Sequence, residues 1–303
     1  MSILVVGSVA FDSIKTPFGV ADEVLGGSAC YFSTSASFFT EVDLVAVVGD
    51  DFPQKHIDFL KSRNIDLAGL QKSQGETFRW KGRYDYDLNE AHTLETHLNV
   101  FESFKPLLPE NYRDAEYVFL ANIDPELQLE VLQQVKNPKL VACDTMNFWI
   151  EGKREELIKT LEKVDILIIN EAEVRQLANE PNLLKAAEIV RSFGPKTLVV
   201  KRGEYGTLMF GEGSTFSAPA FPLEEVFDPT GAGDTFAGGF IGYLAATRNL
   251  KEDNLRKATV FGTVMASFTV EKFSLDRLKE IEYSEIVDRY KKIKLLTEFA
   301  DID

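Results

Sequence analysis

The sequence predicts an α/β architecture: a doubly wound, mostly parallel sheet flanked by helices, with a small β lid over one edge. Three observations lead there. Short apolar runs recur along the chain, segments of helical period separate most of them, and two stretches, about 14–25 and 75–104, break that rhythm. With 303 residues, 45% hydrophobic and 27% charged, the chain is long enough to bury a large core, and we read it as a single domain over 1–303.

In chain order, the runs Ile3 to Val6, Val42 to Val48, Tyr117 to Leu120, Leu140 to Cys143, Ile166 to Ile169 and Leu198 to Val200 are apolar throughout, as strands buried on both faces are. Between them, Leu127 to Val135, Arg154 to Leu161 and Leu183 to Phe193 place apolar residues three and four apart among Glu, Gln and Lys, the helical spacing. Strands alternating with helices give the doubly wound class. Ile14 to Leu25 and Gly75 to Phe104 lack the helical period, and Thr77-Phe-Arg-Trp-Lys-Gly-Arg-Tyr84 partly alternates bulky and polar residues, as a strand with one covered face does. These stretches form the lid; two long surface loops are the alternative, disfavoured by their length. A turn at Gly211 to Gly213 and a strand around Thr215 to Ala218 precede the long C-terminal helices.

Composition excludes several classes of function. Lys and Arg number 33 against 48 Asp and Glu, and the formal charge of −15 would repel a nucleic-acid backbone. No apolar run is long enough to span a bilayer and the opening residues carry no export-type segment, so we expect no membrane partner. Two cysteines, Cys30 and Cys143, form no disulfide framework and no zinc pattern, which suits a cytoplasmic protein. His92 and His97, five apart, do not fit a helical metal pair.

Chemistry concentrates in Asp228-Pro-Thr-Gly-Ala-Gly-Asp-Thr-Phe-Ala-Gly-Gly-Phe240. Pro229, Gly231 and Gly233 stop a strand, and Asp234 opens an apolar helix. The amides of Gly231, Ala232 and Gly233 then stand at a helix start without intrahelical partners, where the dipole favours an anion such as phosphate. Asp234, in the first turn, is held ionised and placed to accept a proton from an attacking alcohol. A helix cap on a tight turn explains the same letters. No G-x-x-x-x-G-K-[ST] occurs, which excludes a P-loop site.

The segment from Asp228 to Phe240 closely resembles the C-terminal signature of the ribokinase-like, or PfkB, family of carbohydrate and nucleoside kinases. Gly26-Gly27-Ser-Ala, preceded by Gly7 and Asp12, resembles the family's first signature, and Val48-Gly-Asp-Asp-Phe52 the motif that follows it, so the likeness runs through essentially the whole chain. The resemblance implies a ribokinase-like fold and ATP-dependent phosphorylation of a hydroxyl on a sugar or a sugar-containing small molecule. It implies Asp234 as catalytic base, Gly231, Ala232 and Gly233 as anion hole, and Asp228 and Thr230 beside the nucleotide phosphates. Asn170 and Glu173 match its N-x-x-E motif and would organise Mg2+; a helix cap with a capping box accounts for the same pair. Lys201, Gly203 and Gly206 resemble the nucleotide-side loop, and a plain hairpin turn would use the same glycines. Asp12, Gly26, Gly27 and Tyr31 fall on the acceptor side. A monovalent cation is a further family expectation, and the open lid edge suggests a homodimer.

Two departures bear on the acceptor. Cys30-Tyr31-Phe32 stands where many family members carry Asn, and Asp144-Thr-Met-Asn147-Phe-Trp149 replaces a frequent D-x-N-x-R, without the Arg that would hold a second substrate phosphate. A nucleoside is the alternative acceptor, with Tyr31, Phe32 or Trp80 stacking on its base. In the lid, Phe78, Arg79, Trp80, Lys81 and Arg83 fit either a ligand-facing strand or a packed one. A non-catalytic nucleotide- or sugar-binding protein is the alternative from another class.

Overall fold

A computed structural model describes residues 2–89 and 91–300. Its strands are β1 (Ser2–Val6), β2 (Ala10–Thr16), β3 (Gly19–Gly26), β4 (Glu41–Val48), β5 (Ile65–Lys72), β6 (Phe78–Tyr84), β7 (Ala91–His97), β8 (Tyr117–Leu120), β9 (Leu140–Cys143), β10 (Ile166–Asn170), β11 (Thr197–Lys201), β12 (Thr207–Gly211) and β13 (Ser214–Ala218). Among the described residues nine strands make one sheet in the order β13-β12-β11-β10-β9-β8-β1-β4-β5. The seven from β11 to β5 pair in parallel, and β12 and β13 extend the sheet as an antiparallel hairpin ribbon.

Strand β1 shows why the apolar runs are unbroken. Ile3 and Val5 enter one core with helices Ser28–Ala36, Ala232–Thr247 and Glu252–Thr269; Leu4 and Val6 enter the other with helices Pro125–Gln134, Arg154–Leu161, Glu171–Ala178 and Leu183–Arg191. A strand covered on both faces has no position for a polar residue, and each such side chain contributes roughly 1.5–3 kcal/mol. The chain order reverses direction between β8 and β1, so the carboxyl ends of the parallel strands open into the crevice where α/β sheets of this kind bind ligands.

The second sheet, β3-β2-β6-β7, stands where the sequence predicts the lid and takes that label. It draws on 10–26 and 78–97, so its first strand begins earlier than the sequence predicts, three residues after β1 ends. Arg79 pairs with Glu23 inside the sheet at 2.6 Å and with Asp51 beyond β4 at 2.8 Å, and Lys81 pairs with Glu95 at 3.0 Å. Trp80 donates its indole N–H to Thr93 at 3.1 Å, and His92 faces Asp85 at 2.9 Å. These contacts are those of a strand paired within its sheet. No helix among the described residues is long and apolar enough to cross a membrane.

Candidate active site

The carboxyl ends of three adjacent strands each deliver one charged or capping group. Asp144 follows β9, Asn170 ends β10, and Lys201 ends β11. Lys201 Nζ lies 3.1 Å from Asp144 Oδ2, an ion pair shielded from water at both ends. Asn170 caps helix Glu171–Ala178 as the sequence allows: its Oδ1 accepts the Glu173 amide and Glu173 Oε2 accepts the Asn170 amide, both at 2.9 Å. The capping box holds Glu173 at the crevice and uses only one of its carboxylate oxygens.

Facing them is the start of helix Ala232–Thr247. Gly231 caps it with φ +73°, and Thr235 closes the first turn onto the Gly231 carbonyl at 2.8 Å. The Tyr31 ring lies flat against this glycine; a Cβ at 231 would sit 2.3 Å from its Cγ. Of the three amides expected to face outward, that of Ala232 is taken by the Pro229 carbonyl at 3.1 Å, because Pro229 to Ala232 form a tight turn. The amides of Gly231 and Gly233 meet no backbone acceptor among the described residues. Asp234 is half-buried and keeps part of its surface open to solvent. Burial, and then the Asp144 charge, push its carboxyl up to about 7, against the pull of Lys201 and its own amide. Glu173 is raised to about 7 by burial and by Asp144. Burial alone would lower Lys201, but Asp144, Glu173 and Asp234 outweigh it and hold the ammonium above its ordinary value.

The residues expected on the acceptor side gather where β2 and β3 meet helix Ser28–Ala36. Asp12, on β2, is 4% exposed, and burial raises it to about 7 against the Gly27 amide, with Asp228 and Asp234 adding to the rise. Gly26 is a glycine because the Asp12 carboxylate fills its side-chain space, 1.9 Å from an ideal Cβ, and Gly27 has φ +92°. Tyr31 is 1% exposed; its hydroxyl has no hydrogen-bond partner among the described residues and feels Asp12, Asp228, Tyr84 and Asp234.

Asp228 is fully buried, accepting the amides of Thr230 at 2.9 Å and Ser274 at 3.2 Å. It holds the loop in shape from behind. Thr230 donates its hydroxyl to that of Tyr84 at 3.2 Å, so the lid rests on the signature loop. Phe18, in the β2–β3 turn, packs edge-on against Phe227. Gly203 and Gly206 sit in the turn joining β11 to β12, where the Arg202 amide bonds the Gly206 carbonyl at 2.9 Å: the hairpin geometry. Asn89 of the lid reaches this turn, its Oδ1 2.8 Å from where a Cβ of Gly203 would lie.

Two residues at the site carry little sequence signal. Tyr84 reaches Thr230 across 146 positions, and Asp144 meets Lys201 across 57. Of the aromatics that could stack on a base, Phe32 is in the core against Phe119, Trp80 packs within the lid, and Tyr31 lies behind Gly231. Open grooves of about 510 Å³ and 340 Å³ lie elsewhere and contain none of these residues. In the larger, Lys272 and Arg277 are already paired with Glu280 and with Glu271 and Glu285.

The pfkB family carbohydrate kinase model matches residues 5–280. The chain is 32% identical over 258 residues to the cytidine kinase of Thermococcus kodakarensis, covering 83% of this chain and 91% of that one. The crystal structure of Methanocaldococcus jannaschii nucleoside kinase, an archaeal member of the ribokinase family, superposes with a TM-score of 0.77 at 23% identity, over 96% of this chain and 98% of that one. The ribokinase of Thermotoga maritima gives 0.75 at 22% identity, over 96% and 99%. Because the likeness runs from the first strand to residue 280 and is not confined to one motif, the chain belongs to the pfkB family of carbohydrate kinases, phosphotransferases that act on a hydroxyl group.

Proposed function

We propose that this protein transfers the γ-phosphoryl group of ATP to a hydroxyl of a nucleoside. One observation carries the chemistry: a half-buried carboxylate, Asp234, stands beside the amides of Gly231 and Gly233, which meet no backbone acceptor among the described residues, and within electrostatic reach of Asp12 on the expected acceptor side. In the reaction the acceptor oxygen bonds to the γ-phosphorus, the bond to the β–γ bridging oxygen breaks with its electron pair leaving on ADP, and the acceptor proton passes to Asp234. Charge spreads over the equatorial phosphoryl oxygens, and amides fixed before the reaction stabilise it there. Asp228 and Thr230 hold the loop, Gly203 and Gly206 let backbone approach the nucleotide, and the seated lid excludes water.

The donor set fits magnesium. Asp144, Glu173 and Asp234 all act on one ammonium, the Asp144 charge raises both Glu173 and Asp234, and Glu173 adds to the rise of Asp234, the mark of surplus negative charge. No described group of three or more His, Cys, Asp or Glu side chains could hold an ion unaided. Magnesium keeps several waters and shares its other positions with phosphate oxygens, so a sparse set suffices. Asn170 and Glu173 would hold its water shell, and the ion would neutralise triphosphate charge.

The nucleoside class is supported by the likeness to a cytidine kinase over 83% of the chain, and Asn147-Phe148-Trp149, standing where an Arg would grip an acceptor phosphate, speaks against a sugar phosphate. Asp12 would bind hydroxyls of the sugar. Asp12→Asn should raise the acceptor KM by roughly 10–100-fold, the worth of a charged hydrogen bond, and leave the ATP KM nearly unchanged in initial-rate assays. A screen of nucleosides, free sugars and sugar phosphates with ATP and magnesium, read by ADP release, tests the class. Faster turnover of a free sugar than of any nucleoside would overturn it. The open edges of the lid, β3 and β7, are where a second copy would add to form a homodimer.

The wild-type kcat/KM should also rise with pH through about 7, because the base acts only when ionised and Asp234 and Asp12 are both raised to about 7. A profile flat from pH 5.5 to 8 would contradict this.

A further inference from the structure

Lys201 does more than neutralise Asp144. Its nitrogen occupies the space that a side chain at 233 would need, 2.8 Å from an ideal Cβ of Gly233. The ammonium therefore rests against the first turn of helix Ala232–Thr247, where the helix dipole already concentrates positive charge. A cation gains nothing there from the helix, whereas an anion between the two gains from both. The Gly231 and Gly233 amides have no backbone acceptor among the described residues, so donors from β11 and from the helix start converge on one region. An ion pair serving only Asp144 would not need this contact, and buried ion pairs are weak contributors to stability.

We propose that Lys201 is a catalytic residue whose ammonium meets an equatorial oxygen of the migrating phosphoryl group across from the loop amides, and that Asp144 is the residue that positions it. This rests on the kinase reading of the site. The ammonium keeps its proton throughout; the acceptor proton goes to Asp234 and the bond pair leaves with ADP. Lys201 contributes charge, which matters more as the phosphoryl group loosens from both oxygens.

The test is a double-mutant cycle in the full chain: Lys201→Met, Asp144→Asn and both together, assayed with ATP, magnesium and the preferred acceptor. Lys201→Met should lower kcat by roughly 10²–10³-fold, as loss of one preorganised donor does, with the acceptor KM within about threefold of wild type. Asp144→Asn alone should lower kcat less, and its effect should be clearly smaller in the Lys201→Met background than in wild type, since a positioning residue loses that part of its effect once its partner is gone. The double variant leaves no Asp144 charge stranded without its ammonium, and a melting temperature near that of wild type shows that it folds. Recovery of kcat in the double variant to within about threefold of wild type would reduce Lys201 to a counter-ion for Asp144 and overturn the proposal. A wild-type protein that turns over no acceptor would instead defeat the kinase reading itself, so the two failures are distinct.

Discussion

Asp234→Asn is expected to cut turnover by roughly 10²–10⁴-fold, the range that a positioned general base supplies, while ATP still binds. The same variant should melt at a higher temperature than wild type near pH 7.5. The reason is linkage. Burial and the Asp144 charge raise Asp234 to about 7, above its unfolded value. A carboxylate so shifted favours the folded state below its unfolded pKa, and that stability is lost as pH rises through the folded value. At pH 7.5 the ionised group is a burden to the fold that a neutral amide of the same shape removes. Loss of activity together with a gain in stability separates chemistry from misfolding, and calorimetry beside an ADP-release assay reads both. A variant that loses activity and melts lower would show that Asp234 chiefly holds the helix start.

Gly231→Ala should abolish measurable turnover and lower stability as well. Two costs add. A left-handed residue at φ +73° costs an alanine about 1–2 kcal/mol, and a Cβ placed 2.3 Å from the Tyr31 ring forces overpacking of roughly 1–3 kcal/mol. Tyr31 cannot retreat, being 1% exposed with core packed around it. Adding Tyr31→Ala to Gly231→Ala should restore part of the stability and none of the turnover, because space returns while the loop amides stay displaced. Full activity of Gly231→Ala would mean that the loop geometry plays no part in transfer.

Much of this was legible in the sequence for a definite reason. Strands buried on both faces leave uninterrupted apolar runs, so β1, β4, β8, β9, β10 and β11 stand out, and the signature at the helix start is carried by consecutive residues. Strands β5 and β12 escaped. Ile65–Lys72 lies at a sheet edge with polar residues among its apolar ones, and Thr207–Gly211 is a short antiparallel strand that follows a glycine turn. The start of the lid was hidden because Val9 to Phe11 continues the apolar composition of β1, although the chain changes sheets there.

At the site, local letters fixed local roles and left pair contacts unread. Asn170 and Glu173 were open to a capping box, and the box forms; the same box presents Glu173 to the crevice, so the two readings of that motif are compatible. The Ala232 amide turned inward because the proline turn before it claims the donor, a consequence of backbone geometry that residue types do not announce. Lys201 with Asp144 and Tyr84 with Thr230 exist only once three strands and the lid have assembled.

The most direct test of the central claim is a crystal structure with ADP, magnesium, aluminium fluoride and a nucleoside. The account predicts the reacting hydroxyl at about 2.6–3.2 Å from the Asp234 carboxylate and the fluoride ligands on the amides of Gly231 and Gly233. Finding that hydroxyl bonded to a different side chain, with the planar fluoride away from the loop, would contradict it.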